Sequence, residues 1–115
     1  MTRTPRVAAF AAVTYTDGPD AAALAALTRF ERASLGHADA PQRAAAILAA
    51  KRAVQRLHPG LDLRDIEVLR RQHCAPVLRL RGRETPLPLS LSLSHGDGLA
   101  VAALLADPEG TPCAR

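Results

Sequence analysis

Aromatic residues are almost absent from this chain. It has no tryptophan, and its only aromatic residues are Phe10, Tyr15 and Phe30. Alanine supplies much of the apolar content, and a small side chain removes little apolar area from water when it is buried. We therefore expect a thinly packed core that gains stability from a partner subunit. The scarcity of rings also argues against nucleic-acid binding, because nucleic-acid sites interleave basic residues with stacking aromatics.

Cysteine is nearly as scarce, since Cys74 and Cys113 are the only two. Two thiols make neither a disulfide framework nor a metal cluster, and the default is a reduced, cytoplasmic setting. No apolar stretch approaches the length that crosses a bilayer, so we expect no membrane partner. The opening letters MTRTPRVAAFAAV superficially resemble a signal peptide, but the apolar run is short and breaks at TYTDGPD, which favours a first strand.

Lysine is limited to Lys51, so arginine carries nearly all the positive charge of a chain whose formal net charge is +4. This charge suits an anionic partner, either a phosphate-bearing cofactor or an acidic protein surface. We expect Arg29, Glu31 and Arg32 to form ordinary exposed helix pairs. A later strand carries a charged row that forms either a solvated edge or a surface for an acidic protein, namely Arg79, Arg81 and Arg83.

The predicted elements run in the order strand, helix, helix and then four strands. Residues 7–16 form a buried strand, and TDGPD turns the chain so that Asp20 can cap a helix over residues 21–30. A longer helix begins at Asp39 or Pro41 and ends at HPG. The segments DIEVLR and VLRLR and a final hairpin supply the other strands, with QHCAP as a turn.

These elements predict one α+β domain over residues 1–115, in which two helices pack on one side of a mostly antiparallel sheet. We expect the tail over residues 107–115 to be disordered. No internal repeat or second domain is indicated by the sequence.

The segment LSLSLSHGDGLAVAALLA, residues 89–106, is the most informative stretch. Its leucines alternate with serines, which predicts a strand with leucine toward the core and serine on the other face. His95 ends this strand, and GDG makes the turn. Gly96 and Gly98 can adopt positive φ, so that backbone N–H groups converge on an anion and His95 adds a donor. An ordinary hairpin with a solvated histidine is the alternative.

Three segments occur in an order that resembles a known family. They are LAAKRAVQRL, DIEVLRRQHCAPVLRL and LSLSHGDGLAVAAL. Together they resemble the A-A-K-E-A helix, the D-I-E-[IV] strand, the G-[KR]-P turn and the [VI]-S-[IL]-S-H hairpin of the 4′-phosphopantetheinyl transferase superfamily. The turn departs from this pattern, because Cys74 and Ala75 precede its proline and the basic residue is missing. The most similar type is the small, single-repeat holo-acyl-carrier-protein synthase. Each motif is weak alone, whereas the ordered set, from about residue 30 to residue 105, is specific.

This resemblance implies transfer of 4′-phosphopantetheine from coenzyme A to a serine of an acyl carrier protein, in polyketide or fatty-acid biosynthesis. In the family, a magnesium ion bridges the pyrophosphate, the serine hydroxyl attacks the β-phosphate and adenosine 3′,5′-bisphosphate leaves. Family members of this size are trimers with active sites between protomers. A homo-oligomer, specifically a trimer, is therefore expected here.

The resemblance also assigns candidate residues. Ser94 and His95, with Gly96 beside them, fall on the S-H pair that contacts the coenzyme A phosphates. Lys51 falls on the lysine near the reacting phosphate, a proposed base or charge stabiliser. Arginine cannot replace a basic lysine, because arginine does not deprotonate in proteins whereas a lysine pKa can shift. A solvated helix lysine is the alternative.

The magnesium ligands of the family are not matched. Arg52 stands in place of the glutamate that follows the lysine, and Val13 or Thr14 stands where the first-strand aspartate is expected. A guanidinium offers only donors and a like charge, whereas magnesium takes oxygen ligands. Asp17 and Asp20 would reach the site only through a shifted loop. We therefore expect coenzyme A without the standard magnesium site.

Three interpretations follow. In the first, the chain is a transferase in which Arg52 takes the metal's place and neutralises the pyrophosphate through bidentate hydrogen bonds, with Lys51 and His95 as the other catalytic residues. In the second, a non-catalytic relative binds a carrier protein or its phosphopantetheine arm. In the third, His95, Cys74 or Asp97 serves a different reaction on a carrier-bound acyl chain, which for Cys74 would require a lowered thiol pKa.

Overall fold

Five strands and three α-helices make up the part of the chain that the computed structural model describes, residues 6–18, 21–36, 40–69, 76–83 and 86–106. The strands are β1 (Arg6–Thr14), β2 (Ile66–Leu69), β3 (Val77–Leu80), β4 (Leu89–Gly96) and β5 (Leu99–Ala106). The helices are α1 (Ala21–Ala25), α2 (Arg29–Ala33) and α3 (Pro41–Leu57), and a 3₁₀ turn over Leu63–Asp65 leads into β2. This architecture confirms the α+β class.

The strands divide between two antiparallel sheets. The larger sheet has the order β1-β5-β4, and the smaller consists of β2 and β3. Proline has no N–H to donate to a ladder, and the segment that leads into β4 contains Pro86 and Pro88. This segment meets β3 through a bridge between Arg79 and Pro86 and a hydrogen bond from Leu87 N to Leu78 O at 2.8 Å. The sheets are therefore neighbours joined at an irregular corner.

Alanine faces alanine where α3 packs on the larger sheet. The inward positions of β1 and β5 include Ala9, Ala11, Ala100 and Ala102, all of them buried, and α3 contacts both strands. The buried positions of α3 are themselves mostly alanine. Small side chains fill little space between the helix and the sheet. Since protein interiors are close-packed with few voids, the helix and sheet backbones approach closely here. Close approach of the two backbones therefore fills the core of a chain that has few aromatic residues.

The helix expected over residues 21–30 is divided into α1 and α2. Thr28 lies between them with extended backbone, and its hydroxyl accepts a hydrogen bond from Glu31 N at 3.3 Å. In return, Glu31 Oε1 accepts one from Thr28 N at 2.7 Å. This reciprocal capping box begins a new helix at Arg29, so the first helix cannot continue through Thr28. The prediction of one helix was wrong here, although the T-x-x-E pattern was present in the sequence.

The other element bounds agree with the sequence to within two residues. Of the two predicted starts of α3, Pro41 is the first helical residue, and the helix ends at Leu57, before HPG. The predicted cap Asp20, the alternative start Asp39 and the tail over residues 107–115 lie outside the described residues. Among the described helices, none is both long enough and apolar enough to span a membrane.

Candidate functional site

The end of the β4–β5 hairpin presents the Ser94–His95 pair. Along β4, Leu91 is buried and Leu93 packs against the core, whereas Ser94 and His95 are exposed. The leucines of β4 therefore face the core, as the alternation of leucine and serine predicted. In the ladder, Ser94 lies opposite Val101 and His95 lies opposite Ala100, which holds both backbones in regular sheet. The two predicted coenzyme A contacts are thus displayed at the end of a strand.

The turn of this hairpin differs from the predicted one. Gly96 is paired opposite Leu99 inside the ladder, and the positive φ angles belong to Asp97 (52°) and Gly98 (80°). Two successive residues with positive φ make the tight two-residue hairpin that Asp-Gly favours. The backbone amide of Gly96 is therefore part of the sheet, and the tip of the turn carries a carboxylate instead of the anion-binding loop that we expected.

A contact from β1 fixes the position of the turn. Tyr15 N donates a hydrogen bond to Gly98 O at 2.8 Å, just beyond the end of β1. A Cβ atom added at Gly98 would lie 3.1 Å from Tyr15 O, so both the positive φ and the close approach require glycine. Because the loop after β1 is bonded to the turn, the exposed His95 is attached to a well-defined scaffold.

The two candidate residues of helix α3, Lys51 and Arg52, point in different directions. Consecutive residues of an α-helix point about 100° apart around the axis. Lys51 accordingly lies toward the core with 0% of its surface exposed, whereas Arg52 is exposed. Of the two cations predicted to share one catalytic site, one therefore points to the core and the other to solvent. The alternative that Lys51 is a solvated helix lysine is therefore wrong.

Lys51 forms a buried ion pair with Glu31. Lys51 Nζ lies 2.5 Å from Glu31 Oε1 and donates a hydrogen bond to Ala26 O at 2.8 Å. Glu31 is itself only 2% exposed, so the prediction that it forms an exposed pair on its own helix is wrong. Burial of two charges is tolerated when they are in contact and their remaining bonding capacity is used.

Glu31 connects three parts of the fold. Its Oε1 accepts from Thr28 N at 2.7 Å and contacts Lys51 on α3, while its Oε2 accepts from Val68 N of β2 at 2.7 Å. One carboxylate therefore holds the start of α2, the middle of α3 and the smaller sheet together. Hydrogen bonds to an ionised acceptor are the strong ones, so this cluster rigidifies the core.

Burial has the largest effect on the pKa of Lys51. It lowers the pKa of Lys51 from the ordinary value of 10.5, and the hydrogen bond and charge of Glu31, with smaller effects of Glu67 and Asp62, raise the pKa in opposition. Between the lowered pKa and 10.5, the unfolded chain binds a proton that the folded chain has released. Lys51 therefore makes the free energy of unfolding increase with pH across that interval.

The residues at the expected magnesium positions do not fit the ion. Val13 is buried and apolar, Thr14 offers one exposed hydroxyl, and Arg52 is a cation. Asp17 is exposed, whereas Asp20 and Cys74 lie outside the described residues. Within the described part of the chain, no group of three or more His, Cys, Asp or Glu side chains could hold a metal ion. We therefore derive no step of the chemistry through magnesium.

Replacement of Lys51 by methionine should destabilise the fold by about 3–5 kcal/mol, because the Glu31 charge would remain buried without its counterion. Replacement of Glu31 by glutamine should also destabilise the fold. The double variant Lys51→Met/Glu31→Gln should lose much less than the sum of the two single losses. Urea unfolding followed by circular dichroism measures all three differences. Additive losses would contradict a buried, coupled pair.

Lys51 is the only lysine in the chain, so an amine-reactive reagent measures its accessibility directly. In the folded protein, we expect Lys51 to be acylated far more slowly than the N-terminal amine, since its ammonium is buried and bonded. In denaturant, both amines should react at ordinary rates. Peptide mass spectrometry distinguishes the two positions, and rapid labelling of Lys51 in the folded protein would show that its amine faces solvent.

The chain matches no family model, no curated protein and no solved structure. The resemblance to the phosphopantetheinyl transferases therefore rests on the three sequence segments that carry it.

Proposed function

We propose that this chain is a phosphopantetheinyl-transferase-like protein that acts on an acyl carrier protein, in the cytoplasmic setting that its two cysteines indicate. One observation carries the proposal. The Ser94–His95 pair is exposed at the end of β4, on a hairpin that follows α3 and β2 in the order of the resembling segments. An exposed histidine at the end of a rigid strand is placed to meet a charged ligand, because its imidazole both donates and accepts hydrogen bonds.

The reaction would transfer the phosphopantetheine arm of coenzyme A. The oxygen of the carrier serine bonds to the β-phosphorus, the bond from that phosphorus to the bridging oxygen breaks, and adenosine 3′,5′-bisphosphate leaves. The serine proton passes to a base, and His95 is the candidate because its imidazole is exposed whereas Lys51 is committed to Glu31. Lys51 could act directly only after its contact with Glu31 was broken.

Arg52 supplies the positive charge in this proposal. It is exposed on α3, and α3 packs beside β4. A guanidinium binds two phosphate oxygens at once through its planar fork, so it can neutralise a pyrophosphate without a divalent ion. The sequence predicts this role for Arg52, and the exposure of its side chain supports the role.

A second candidate function is favoured by the burial of Lys51. In this alternative, the chain binds a carrier protein or its acyl-phosphopantetheine arm without transferring it. The resemblance gives the lysine a place at the reacting phosphate, whereas Lys51 is completely buried and bonded to Glu31 and Ala26. A lysine held in this way stabilises the fold instead of contacting a ligand.

Self-association is supported by the outer face of the larger sheet. Val7 and Phe10 of β1 are each 62% exposed, and Leu99 of β5 is 43% exposed. Half-buried Val101 and Leu105 lie on the same face of β5. Exposed apolar patches of this kind mark interfaces between proteins. We propose that copies of the chain meet through this outer sheet face and form the trimer expected from the resemblance.

Transfer should proceed without a divalent ion if Arg52 takes its place. Incubation with coenzyme A, an apo carrier protein and EDTA should add the mass of one phosphopantetheine to the carrier, as read by intact-mass spectrometry. Arg52→Glu should abolish this transfer, because it puts a negative charge beside the pyrophosphate. Arg56→Glu is the matched control, since Arg56 is also exposed on α3, one turn further on, and this variant should retain transfer.

The same assay separates the two candidate functions. Loss of transfer in EDTA, with recovery on addition of magnesium, would rule out the role of Arg52. No transfer under any condition, together with binding of the holo carrier protein measured by calorimetry, would support the non-catalytic alternative. Neither transfer nor binding would refute the connection with carrier proteins.

Phe10→Ser should shift the chain toward the monomer, because it removes the largest exposed apolar side chain of the outer sheet face. Size-exclusion chromatography with light scattering measures the mass, and the unsubstituted chain should elute as a trimer. Phe30→Ser is the matched control, since Phe30 is 75% exposed on α2, away from this sheet, and its loss should not change the mass. A monomeric unsubstituted chain would contradict the proposed assembly.

A further inference from the structure

A cavity of about 580 Å³ lies where the start of α2 meets the 3₁₀ turn and the smaller sheet. Three arginines line it, and each comes from a different segment: Arg29 begins α2, Arg64 lies in the 3₁₀ turn and Arg81 follows β3. Phe30 lines the same cavity and is 75% exposed. A volume of this size is typical of sites for small molecules.

The charge of this cavity is positive and unbalanced. No salt bridge joins Arg29, Arg64 or Arg81 to any acid in the described residues. Glu67, the one acid among the described residues that line the cavity, is buried and already contacts Arg79. The Nη2 atom of Arg79 lies 3.1 Å from Glu67 Oε1. Three like charges facing one space repel each other, so an anion placed among them would be stabilised by all three.

The backbones that carry the arginines are held in place. Arg64 N donates to Asp62 Oδ1 at 2.9 Å, and Arg81 N donates to Asp65 O at 2.7 Å. Arg29 follows the capped Thr28, and the cap is fixed by Glu31 in the buried ion pair with Lys51. A site whose scaffold is already ordered loses less entropy when a ligand binds.

We infer that this cavity binds a phosphorylated nucleoside, with phosphates on the arginines and the base against Phe30. Arginine binds phosphate oxygens in pairs through its planar fork, and three of them suit a ligand with two or more phosphates. The exposed ring of Phe30 offers a face on which a nucleobase can stack. The inference does not depend on phosphopantetheine transfer, because it uses none of the residues proposed for that reaction.

Calorimetric titration with ADP, adenosine and inorganic pyrophosphate tests the inference on the full chain without coenzyme A or carrier protein. ADP should bind, and each of Arg29→Gln, Arg64→Gln and Arg81→Gln should weaken it at least about tenfold, the value of one charge-assisted hydrogen bond. Arg32→Gln is the matched control, because Arg32 is an exposed arginine of the same short helix as Arg29 and does not line the cavity. This control should leave the affinity unchanged.

The ring contact has its own test. Phe30→Ala should weaken ADP binding but leave pyrophosphate binding unchanged, whereas the control Arg32→Gln should alter neither. If all four arginine variants, including Arg32→Gln, weakened ADP binding equally, the binding would reflect general attraction to a basic chain, and the proposed site would be wrong. Absence of ADP binding would overturn it as well, and so would equal affinity for ADP and pyrophosphate. Because no transfer is measured, failure here is distinguishable from failure of the proposed reaction.

Discussion

An ammonium and a carboxylate in contact at the centre of the fold determine how its parts fit together. Lys51 and Glu31 join α3 to α2, and Glu31 also accepts a backbone N–H from Val68 on β2. Removal of these charges from water costs several kcal/mol for each ion, and their mutual attraction offsets that cost only in this close geometry. The two short helices have few large apolar residues of their own, so a directional contact specifies the position of α2.

The same contact divides the candidate residues into two groups. Lys51 belongs to the interior, whereas Arg52, Ser94 and His95 face solvent. Of these candidates, the exposed histidine and arginine are therefore accessible to a ligand, whereas the lysine supports the structure. This division is why Arg52 and His95 carry the proposed chemistry, and why a binding protein without transferase activity is the alternative.

Local patterns made most of the architecture predictable from the sequence. The alternation of leucine and serine in β4 and the proline at the start of α3 each act over a few residues, and each was found where expected. The hairpin turn was also located, but it is one residue shorter than predicted, because Gly96 belongs to the ladder. The Lys51–Glu31 pair joins residues 20 positions apart on separate helices, and no periodicity records such a contact. The capping box at Thr28 was available as a pattern, and it would have predicted a helix start at Arg29 with Glu31 bonded to the backbone of Thr28. The arginine cavity also depends on tertiary structure, because it joins three separate segments.

The alanine-on-alanine contact between α3 and the larger sheet has a thermodynamic consequence. The heat capacity change of unfolding and the sensitivity to urea both grow with the apolar area that unfolding exposes. Methyl groups expose less area than leucine or phenylalanine side chains at the same positions. The free energy of unfolding of this protein should therefore vary less steeply with temperature than that of a domain of equal length with a bulky core. Its curve of stability against temperature would be unusually flat.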